Sequence, residues 1–236
     1  STPRRCTVAS ITAAAIIFSA LLPILEPMGM DLEFSAGEGP VIHNPIRAPD
    51  DVPRLRELED LDRLGYVMDC VRLTRAGLDD SVPVIGFAGA PFTLAGYCIE
   101  GGTSRAWLHT KSLMYSHETA WHDLMGRIAR AVSRYLVAQL DAGAQLVQLF
   151  DSWVGCLGPD DYRRYVLPHS RLAIEAAARR APVIHFATGN PALLPLLAEA
   201  GGSVIGIDWR IGLAEAWATV GQERQQGRVA RREVDH

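Results

Sequence analysis

The sequence has almost no lysine and little cysteine. Lys111 is the only lysine, so arginine supplies nearly all the positive charge. The formal net charge of −4 provides no basic field for nucleic acid. The cysteines, Cys6, Cys70, Cys98 and Cys156, form no CxxC pair, so neither a structural zinc site nor a disulfide framework is expected. This usage favours a reducing cytoplasm.

The sequence also lacks the glycine-rich motifs of nucleotide-binding folds, since neither GxGxxG nor GxxxxGK[ST] occurs. An uncharged stretch over 6–25 follows Arg4 and Arg5 and superficially resembles a secretory signal or a membrane anchor. Pro23 lies late in this stretch, no small-residue cleavage site follows, and many of its residues are only weakly apolar. We therefore expect a buried strand that enters a loop, and no membrane association.

Five short apolar runs recur along the chain and end at Gly, Pro, Asp or Ser. They cover 14–18, 82–87, 144–150, 182–186 and 204–209. None of them alternates polar with apolar residues, which is typical of strands that are buried on both faces. The runs therefore predict a set of buried strands.

Helical periods lie between these runs. Apolar residues four apart predict one long helix that ends near Gly143: Leu124, Ile128, Val132, Leu136 and Leu140. Further helices are predicted after Pro159 and over 191–200, before Gly201. Strands that alternate with helices predict an α/β fold with a parallel sheet. The pattern alone leaves a (β/α)8 barrel and an open doubly wound sheet as alternatives.

Reactive groups of parallel α/β folds gather at the carboxyl ends of the strands. The candidates are therefore Ser19 and Ala20, 88–93 with Tyr97, 151–153, 187–189, and 208–210. Asp151 is interpreted as a residue that supports its loop and not as an acid catalyst, and Asp208 as a hydrogen-bonding residue at a strand end. His185 lies inside an apolar run and is interpreted as a core histidine.

Four ordered blocks resemble the uroporphyrinogen decarboxylase family. They are IIFS at 16–19 with LEPMGM at 25–30, GFAGAPFTL at 86–94 with Tyr97 and EGG at 100–102, QLFDS at 148–152 with GP at 158–159, and IGIDW at 205–209. The similarity runs from about residue 13 to about residue 222. It implies a TIM-type (β/α)8 barrel and an enzyme of haem biosynthesis. We also expect a cytoplasmic location and a homodimer. Such an enzyme removes four acetate carboxyl groups from uroporphyrinogen III to give coproporphyrinogen III, without metal or organic cofactor.

The resemblance also implies roles for individual residues. Tyr97 and Ser152 match positions that bind the substrate's carboxylate side, and Phe18 and Phe150 are interpreted as barrel or pocket wall. Ala20 stands where the family has its catalytic aspartate, which faces the pyrrole N–H groups and stabilises developing positive charge. A methyl group provides neither interaction, and loss of one preorganised polar group typically costs about 100- to 1000-fold in rate.

Both ends of the sequence depart from the family pattern. Arg4 and Arg5 do not reproduce its Arg-Gln-Ala-Gly-Arg motif, and neither Gly-Asn-Leu-Asp-Pro nor Gly-His-Gly follows Gly221. We therefore expect a barrel domain over 1–222 that is incomplete at both ends, followed by a polar tail over 223–236 without regular structure. A fragment or a frame-altered product would explain this pattern. Unpaired strand edges would then favour self-association.

Two alternatives remain for the function. The chain could be a remnant that binds a tetrapyrrole through Tyr97 and Ser152 without catalysing its decarboxylation. It could also be a relative of the zinc-dependent methyltransferases that act between a corrinoid and a thiol. Those enzymes need His-x-Cys as zinc ligands, whereas this sequence has His185-Phe186-Ala187.

Overall fold

The computed structural model describes residues 14–17, 21–35, 39–220 and 228–231. The strands in chain order are β1 (Ala15–Ile16), β2 (Leu32–Ser35), β3 (Gly39–Ile42), β4 (Val84–Gly89), β5 (Leu146–Asp151), β6 (Val183–Ala187), β7 (Val204–Ile207) and β8 (Arg228–Arg231). The helices are α1 (Gly65–Gly77), α2 (Pro91–Glu100), α3 (Leu108–Ser116), α4 (Glu118–Asp141), α5 (Pro159–Asp161), α6 (Leu167–Ala178), α7 (Leu194–Ala200) and α8 (Leu213–Val220). A π-helical stretch, Tyr162–Val166, joins α5 to α6. None of the described helices is both long and apolar enough to span a membrane.

A six-stranded sheet in the order β1-β4-β5-β6-β7-β8 forms the centre of the fold, and all neighbouring strands in it are parallel. β2 and β3 form a separate antiparallel hairpin. Within the described residues β1 and β8 do not pair with each other, so the sheet is open. The predicted α/β class with a parallel sheet is confirmed.

The order of the strands decides between the two predicted architectures. A doubly wound sheet reverses its strand order at a switch point. Here the order follows the chain from β1 to β8, apart from the separate hairpin. The doubly wound interpretation is therefore wrong for the strands that the structure describes.

Each predicted apolar run coincides with a strand of the central sheet, and boundaries differ by a few residues. The long helix predicted from the four-residue period is α4, whose Leu124, Ile128, Val132 and Leu136 are fully buried. The helix predicted after Pro159 is present as α5 and its continuation. The helix predicted over 191–200 is a short 3₁₀ turn followed by α7, which ends at Gly201 with φ +126°.

The prediction of a tail without regular structure over 223–236 does not hold for Arg228–Arg231. These residues form β8, in which Arg228 pairs with Val204 and Arg231 with Ile207. Parallel pairing uses backbone groups that every residue carries, so a polar segment can add a strand to a sheet edge without an apolar pattern. The remaining residues of that segment lie outside the described ranges.

Helix α4 is attached to the sheet by a buried amide as well as by its apolar stripe. The side chain of Gln139 accepts a hydrogen bond from Phe87 N at 2.8 Å and donates one to Phe87 O at 3.0 Å. Gly86 makes room for this amide, because a Cβ there would lie 2.7 Å from Gln139 Oε1. A satisfied buried amide fixes the register of the helix on the sheet more specifically than apolar packing does.

A second glycine, Gly206 in β7, leaves space for an aromatic ring of the neighbouring strand. A Cβ at Gly206 would lie 2.6 Å from Phe186 Cδ2 and 2.9 Å from Phe186 Cβ. We expect Gly206→Ala to lower the free energy of unfolding by about 1–3 kcal/mol, because Phe186 or the strand must shift. Urea unfolding followed by circular dichroism measures this change.

Gly77→Ala is the matched control for that experiment. Gly77 is the last residue of α1, and a Cβ there would meet no atom within 4 Å. Alanine is the better helix former, so this variant should be as stable as the parent or slightly more stable. Equal losses in the two variants would contradict the packing role of Gly206.

Candidate active site

Three phenylalanines from neighbouring strands form a small aromatic cluster. Phe87, Phe150 and Phe186 are almost fully buried, and Leu21 packs against them. The ring centroids of Phe87 and Phe150 are 5.9 Å apart in an edge-on arrangement, and those of Phe150 and Phe186 are 4.9 Å apart. Phe150 pairs with Gly89 on one side and with Phe186 on the other. The predicted wall residue Phe150 therefore belongs to a preformed apolar surface near the carboxyl ends of β4, β5 and β6.

Tyr97 lies on helix α2, which follows β4. Pro91 at the first turn and Gly101 after the last turn, with φ +80°, set the limits of this helix. Tyr97 is only 7% exposed, and its ring packs against Trp107 at 6.5 Å and Trp153 at 6.2 Å between centroids. Trp107 and Trp153 also contact each other at 5.1 Å. Tyr97 thus forms an aromatic wall with Trp107 and Trp153.

Trp107 has an unusual backbone conformation in this wall. It has φ +53°, the only positive φ at a non-glycine residue among the described residues. Its amide donates a hydrogen bond to Ser104 Oγ at 3.0 Å. A Cβ at Gly96 would lie 2.8 Å from Trp107 Cζ3, so Gly96 provides the space for the indole. Such left-handed conformations at bulky residues occur where the surroundings over-determine them, often near functional sites.

A polar bridge joins helix α2 to the loop after β5. Thr93 Oγ1 donates a hydrogen bond to Asp151 Oδ1 at 2.7 Å, and both side chains are fully buried. The same hydroxyl oxygen accepts the amide of Trp153 at 3.3 Å. Ser152, which is half-buried, lies between these two attachment points. The structure therefore links the helix that carries Tyr97 to the loop that carries Ser152.

The loop after β6 packs closely against the loop after β5, which carries Ser152. Thr188 N donates to Asp151 O at 3.2 Å, and Thr188 Oγ1 donates to Ser152 O at 2.7 Å. Gly155 packs directly on the backbone of Thr188 and Gly189, so any side chain at Gly155 would clash. Three consecutive βα loops are thus fixed to one another at the carboxyl edge of the sheet.

The other candidates have structural roles, in agreement with their interpretation from the sequence. Asp208 accepts hydrogen bonds from Gly189 N at 3.0 Å and Arg210 N at 2.9 Å and forms an ion pair with Arg210. His185 is fully buried, with Nδ1 3.3 Å from Leu197 O. Asp208 therefore orders the loops after β6 and β7, and His185 is a core histidine.

Burial determines the electrostatics of the site. Removal from solvent raises the pKa of Asp151 to about 7, although the bond from Thr93 opposes this rise. Burial also raises the pKa of Tyr97, against a smaller opposing effect of the Trp153 indole. Tyr97 therefore keeps its hydroxyl proton at neutral pH and can donate a hydrogen bond to an anion. Among the described residues, no three His, Cys, Asp or Glu side chains are grouped so as to hold a metal ion.

Two predicted site residues, Phe18 and Ala20, lie outside the described residues. Leu21 is described and packs against the phenylalanine cluster, with its Cβ 3.4 Å from where a Cβ at Gly89 would lie. The sequence places Thr93 and Asp151 among the strand-end candidates, but it indicates neither the bond between them nor the position of Trp107. The block that contains Thr93 and Tyr97 at i and i+4 was a usable signal, because such residues share one face of a helix.

Comparison with known proteins identifies the family. The family model "Uroporphyrinogen decarboxylase (URO-D)" matches residues 12–231. The chain belongs to the uroporphyrinogen decarboxylase family. The match begins where the sequence blocks begin but continues nine residues beyond the predicted limit at 222, through β8.

Individual relatives support this assignment. A uroporphyrinogen decarboxylase from Sorangium cellulosum is 54% identical over 212 residues, which are 89% of this chain and 61% of the relative. One from Carboxydothermus hydrogenoformans is 50% identical over 212 residues, again 89% of this chain and 61% of the relative. The chain thus spans about three fifths of the length of these uroporphyrinogen decarboxylases.

A solved structure is similar in fold. A methyltransferase from Methanosarcina mazei superposes with a TM-score of 0.73 at 16% sequence identity, covering 93% of this chain and 64% of that protein. At this identity the likeness concerns the fold alone. The uroporphyrinogen decarboxylase family therefore shares its fold with at least one methyltransferase.

The buried carboxyl group of Asp151 predicts a specific dependence of stability on pH. Its pKa rises from 3.8 to about 7 on folding, so the folded chain binds the proton more tightly than the unfolded chain. The Asp151 carboxyl group therefore makes its full contribution to the free energy of unfolding below pH 4. This contribution, up to about 4 kcal/mol, is lost as pH rises to 7. Asp151→Asn removes the titrating group, so this variant should gain stability relative to the parent between pH 4 and pH 7.

Urea unfolding of both proteins at pH 5 and pH 8 measures that difference. The variant and the parent must be compared with each other at each pH, because a second group also titrates on folding. Burial lowers the pKa of His169 to about 4, so the contribution of His169 to the free energy of unfolding rises between pH 4 and 6.5. His169 is present in both proteins, so its effect cancels. Parallel pH profiles would show that Asp151 does not titrate in this range.

Proposed function

We propose that this chain forms the substrate-binding part of a uroporphyrinogen decarboxylase, which converts uroporphyrinogen III to coproporphyrinogen III. Family membership with relatives of about 50% identity supports the reaction. The structural observation that carries the proposal is that Tyr97 on α2 packs against Trp153 and so lies beside the Ser152 loop at the carboxyl edge of the sheet. A cytoplasmic location remains a prediction.

We further propose that the open sheet is part of a TIM-type (β/α)8 barrel. The sequential strand order and the helices between consecutive strands support this architecture. In such a barrel the inner face is lined by alternating strand residues, as the phenylalanine cluster lines this sheet. The domain over 1–222 then includes all the strands of this partial barrel except β8.

The proposed roles follow from the chemistry of each side chain. Tyr97 and Ser152 present hydroxyl groups that donate hydrogen bonds to acetate or propionate carboxylates of the substrate. Phe150, together with Phe18, forms an apolar wall against the macrocycle. Such donors orient an anionic substrate without neutralising it, so that one acetate at a time can be presented for reaction.

The reaction itself needs no metal or organic cofactor. Protonation of a pyrrole carbon creates a cation that accepts the electron pair of the breaking bond between the acetate methylene and its carboxylate. Carbon dioxide leaves, and after loss of the ring proton and protonation of the methylene the acetate has become a methyl group, with net uptake of one proton. A nearby carboxylate would stabilise the cation, and Ala20 stands at that position of the family.

Ala20 therefore favours a second candidate function, the binding of a porphyrinogen without turnover. We expect Ala20→Asp to raise the rate of decarboxylation at least about 100-fold over the parent chain, because it restores a preorganised anion near the cation. Ala20→Asn is the matched control, since it has nearly the same shape without the charge. The assay is anaerobic incubation with uroporphyrinogen, with the products separated by carboxyl number.

Each outcome of this assay discriminates between the functions. Products from Ala20→Asp alone would locate the catalytic defect at this position. Products from the parent chain at the rate of Ala20→Asp would show that the methyl group is no defect. No products from any variant, with uroporphyrin still bound, would favour the non-catalytic function.

We also propose that the chain forms a homodimer. Large exposed apolar side chains support an interaction surface, among them Trp209 at 57% and Trp217 at 48% exposure. Light scattering after size exclusion should then give a mass twice the 25.7 kDa of one chain. A mass of one chain over a tenfold range of concentration would exclude a stable dimer.

A further inference from the structure

The peptide group between Ser152 and Trp153 is held at both of its polar atoms. Its carbonyl oxygen, Ser152 O, accepts a hydrogen bond from Thr188 Oγ1 at 2.7 Å. Its amide, Trp153 N, donates to Thr93 Oγ1 at 3.3 Å. Because the peptide is planar, two bonds on opposite sides fix its orientation and hence the direction in which Ser152 leaves the backbone.

Thr93 accepts the second of these bonds with its own proton directed away from Trp153. Its hydroxyl donates to Asp151 Oδ1 at 2.7 Å, which leaves the oxygen lone pairs for Trp153 N. Asp151 is fully buried at the end of β5, so it holds the hydroxyl on a rigid element. The carboxyl group therefore orients the threonine, and the threonine orients the peptide.

The same threonine lies one helical turn before Tyr97 on α2. The ring contacts of Tyr97 with Trp107 and Trp153 are apolar and weakly directional. A short buried hydrogen bond sets the position of α2 along the strand more sharply than these contacts do. The bridge thus acts on the two hydroxyl-bearing residues of the proposed site at once.

We propose that Thr93 and Asp151 are positioning residues that hold Tyr97 and Ser152 in one fixed relative geometry for the substrate's carboxylates. Neither side chain touches the substrate in this arrangement, because both are fully buried between the sheet and the helices. This role rests on the proposed function for the identity of the ligand, but not for the geometry of the bridge.

Thr93→Val tests the role, because valine keeps the shape and removes the hydroxyl. Thr93→Ser restores the hydroxyl, and Thr110→Val is the matched control. Thr110 on α3 is also fully buried and donates its hydroxyl to a carboxylate, Glu100 Oε1, at 2.9 Å. Glu100 is the last residue of α2, but the Thr110 amide bonds to the same oxygen at 2.9 Å, so the control keeps one bond between the two helices. All variants are compared at a temperature at which each is folded.

The first readout needs no ligand. The chain has five tryptophans, so protein labelled with ¹⁵N-tryptophan gives five backbone amide signals, with that of Trp153 assigned by Trp153→Phe. Exchange of the Trp153 amide should accelerate about tenfold in Thr93→Val, because one hydrogen bond is lost. The Trp121 amide, which bonds to His117 O inside the long helix α4, is the internal reference and should not change.

The second readout is the binding of uroporphyrin III, the stable oxidised form of the proposed substrate, followed by quenching of tryptophan fluorescence. We expect Thr93→Val to raise the dissociation constant about tenfold, and Thr93→Ser to restore it. Thr110→Val should bind as the parent chain does. Faster Trp153 exchange together with weaker, serine-restored binding would support the positioning role.

Other outcomes overturn it or separate it from the proposed function. Unchanged Trp153 exchange in Thr93→Val, or faster exchange with unchanged uroporphyrin binding, would overturn the role. A parent chain that binds no uroporphyrin would instead contradict the proposed function. In that case the near-ultraviolet circular dichroism of the Tyr97, Trp107 and Trp153 cluster decides: a change in Thr93→Val reversed by serine supports positioning, and no change refutes it.

Discussion

The carboxyl group of Asp151 lies out of contact with solvent at the end of β5, and its hydrogen bond from Thr93 joins the sheet to the first helix of the site. Burial of a carboxyl group whose hydrogen bonds come only from one residue, Thr93, is costly, and the raised pKa of Asp151 expresses that cost. A protein retains such a costly buried group where the geometry that the group imposes serves a function. Here that geometry aligns α2, the Ser152 loop and the aromatic wall, which are the parts proposed to meet the substrate.

Further hydrogen bonds, most of them between a side chain and the backbone, extend this alignment to the next strands along the same edge of the sheet. Thr188 bonds to both Asp151 O and Ser152 O, and Asn190 Nδ2 donates to Leu157 O at 2.9 Å. Asp208 continues the series by accepting Gly189 N. Loops that bond to one another in this way lose the independence that surface loops usually have, so the site is rigid before any ligand arrives.

The sequence was sufficient for the features that depend on periodicity. Buried parallel strands require continuous apolar runs, and α4 requires a four-residue stripe, so both could be predicted. The bridge of Thr93 and Asp151 could not, because it depends on residues 58 apart that only the fold brings together. The left-handed Trp107 and strand β8 were missed for related reasons. The first depends on space left by Gly96, and the second on backbone pairing that no side-chain pattern reports.

The direction of Asp151 also limits the chemistry available to this chain. Phe150 lies in the cluster with Phe87 and Phe186, whereas the next residue, Asp151, bonds to Thr93 on α2. Burial and, to a smaller extent, the charge of Asp151 raise the pKa of Tyr162, which follows α5. Successive strand residues point to opposite faces, so Asp151 lies on the helix side and Phe150 on the inner side. Asp208 is likewise engaged by Gly189 and Arg210. Both carboxylates are therefore engaged in structural hydrogen bonds, so in the proposed function neither stabilises the cation, and substrate binding and cation stabilisation would depend on separate parts of the site.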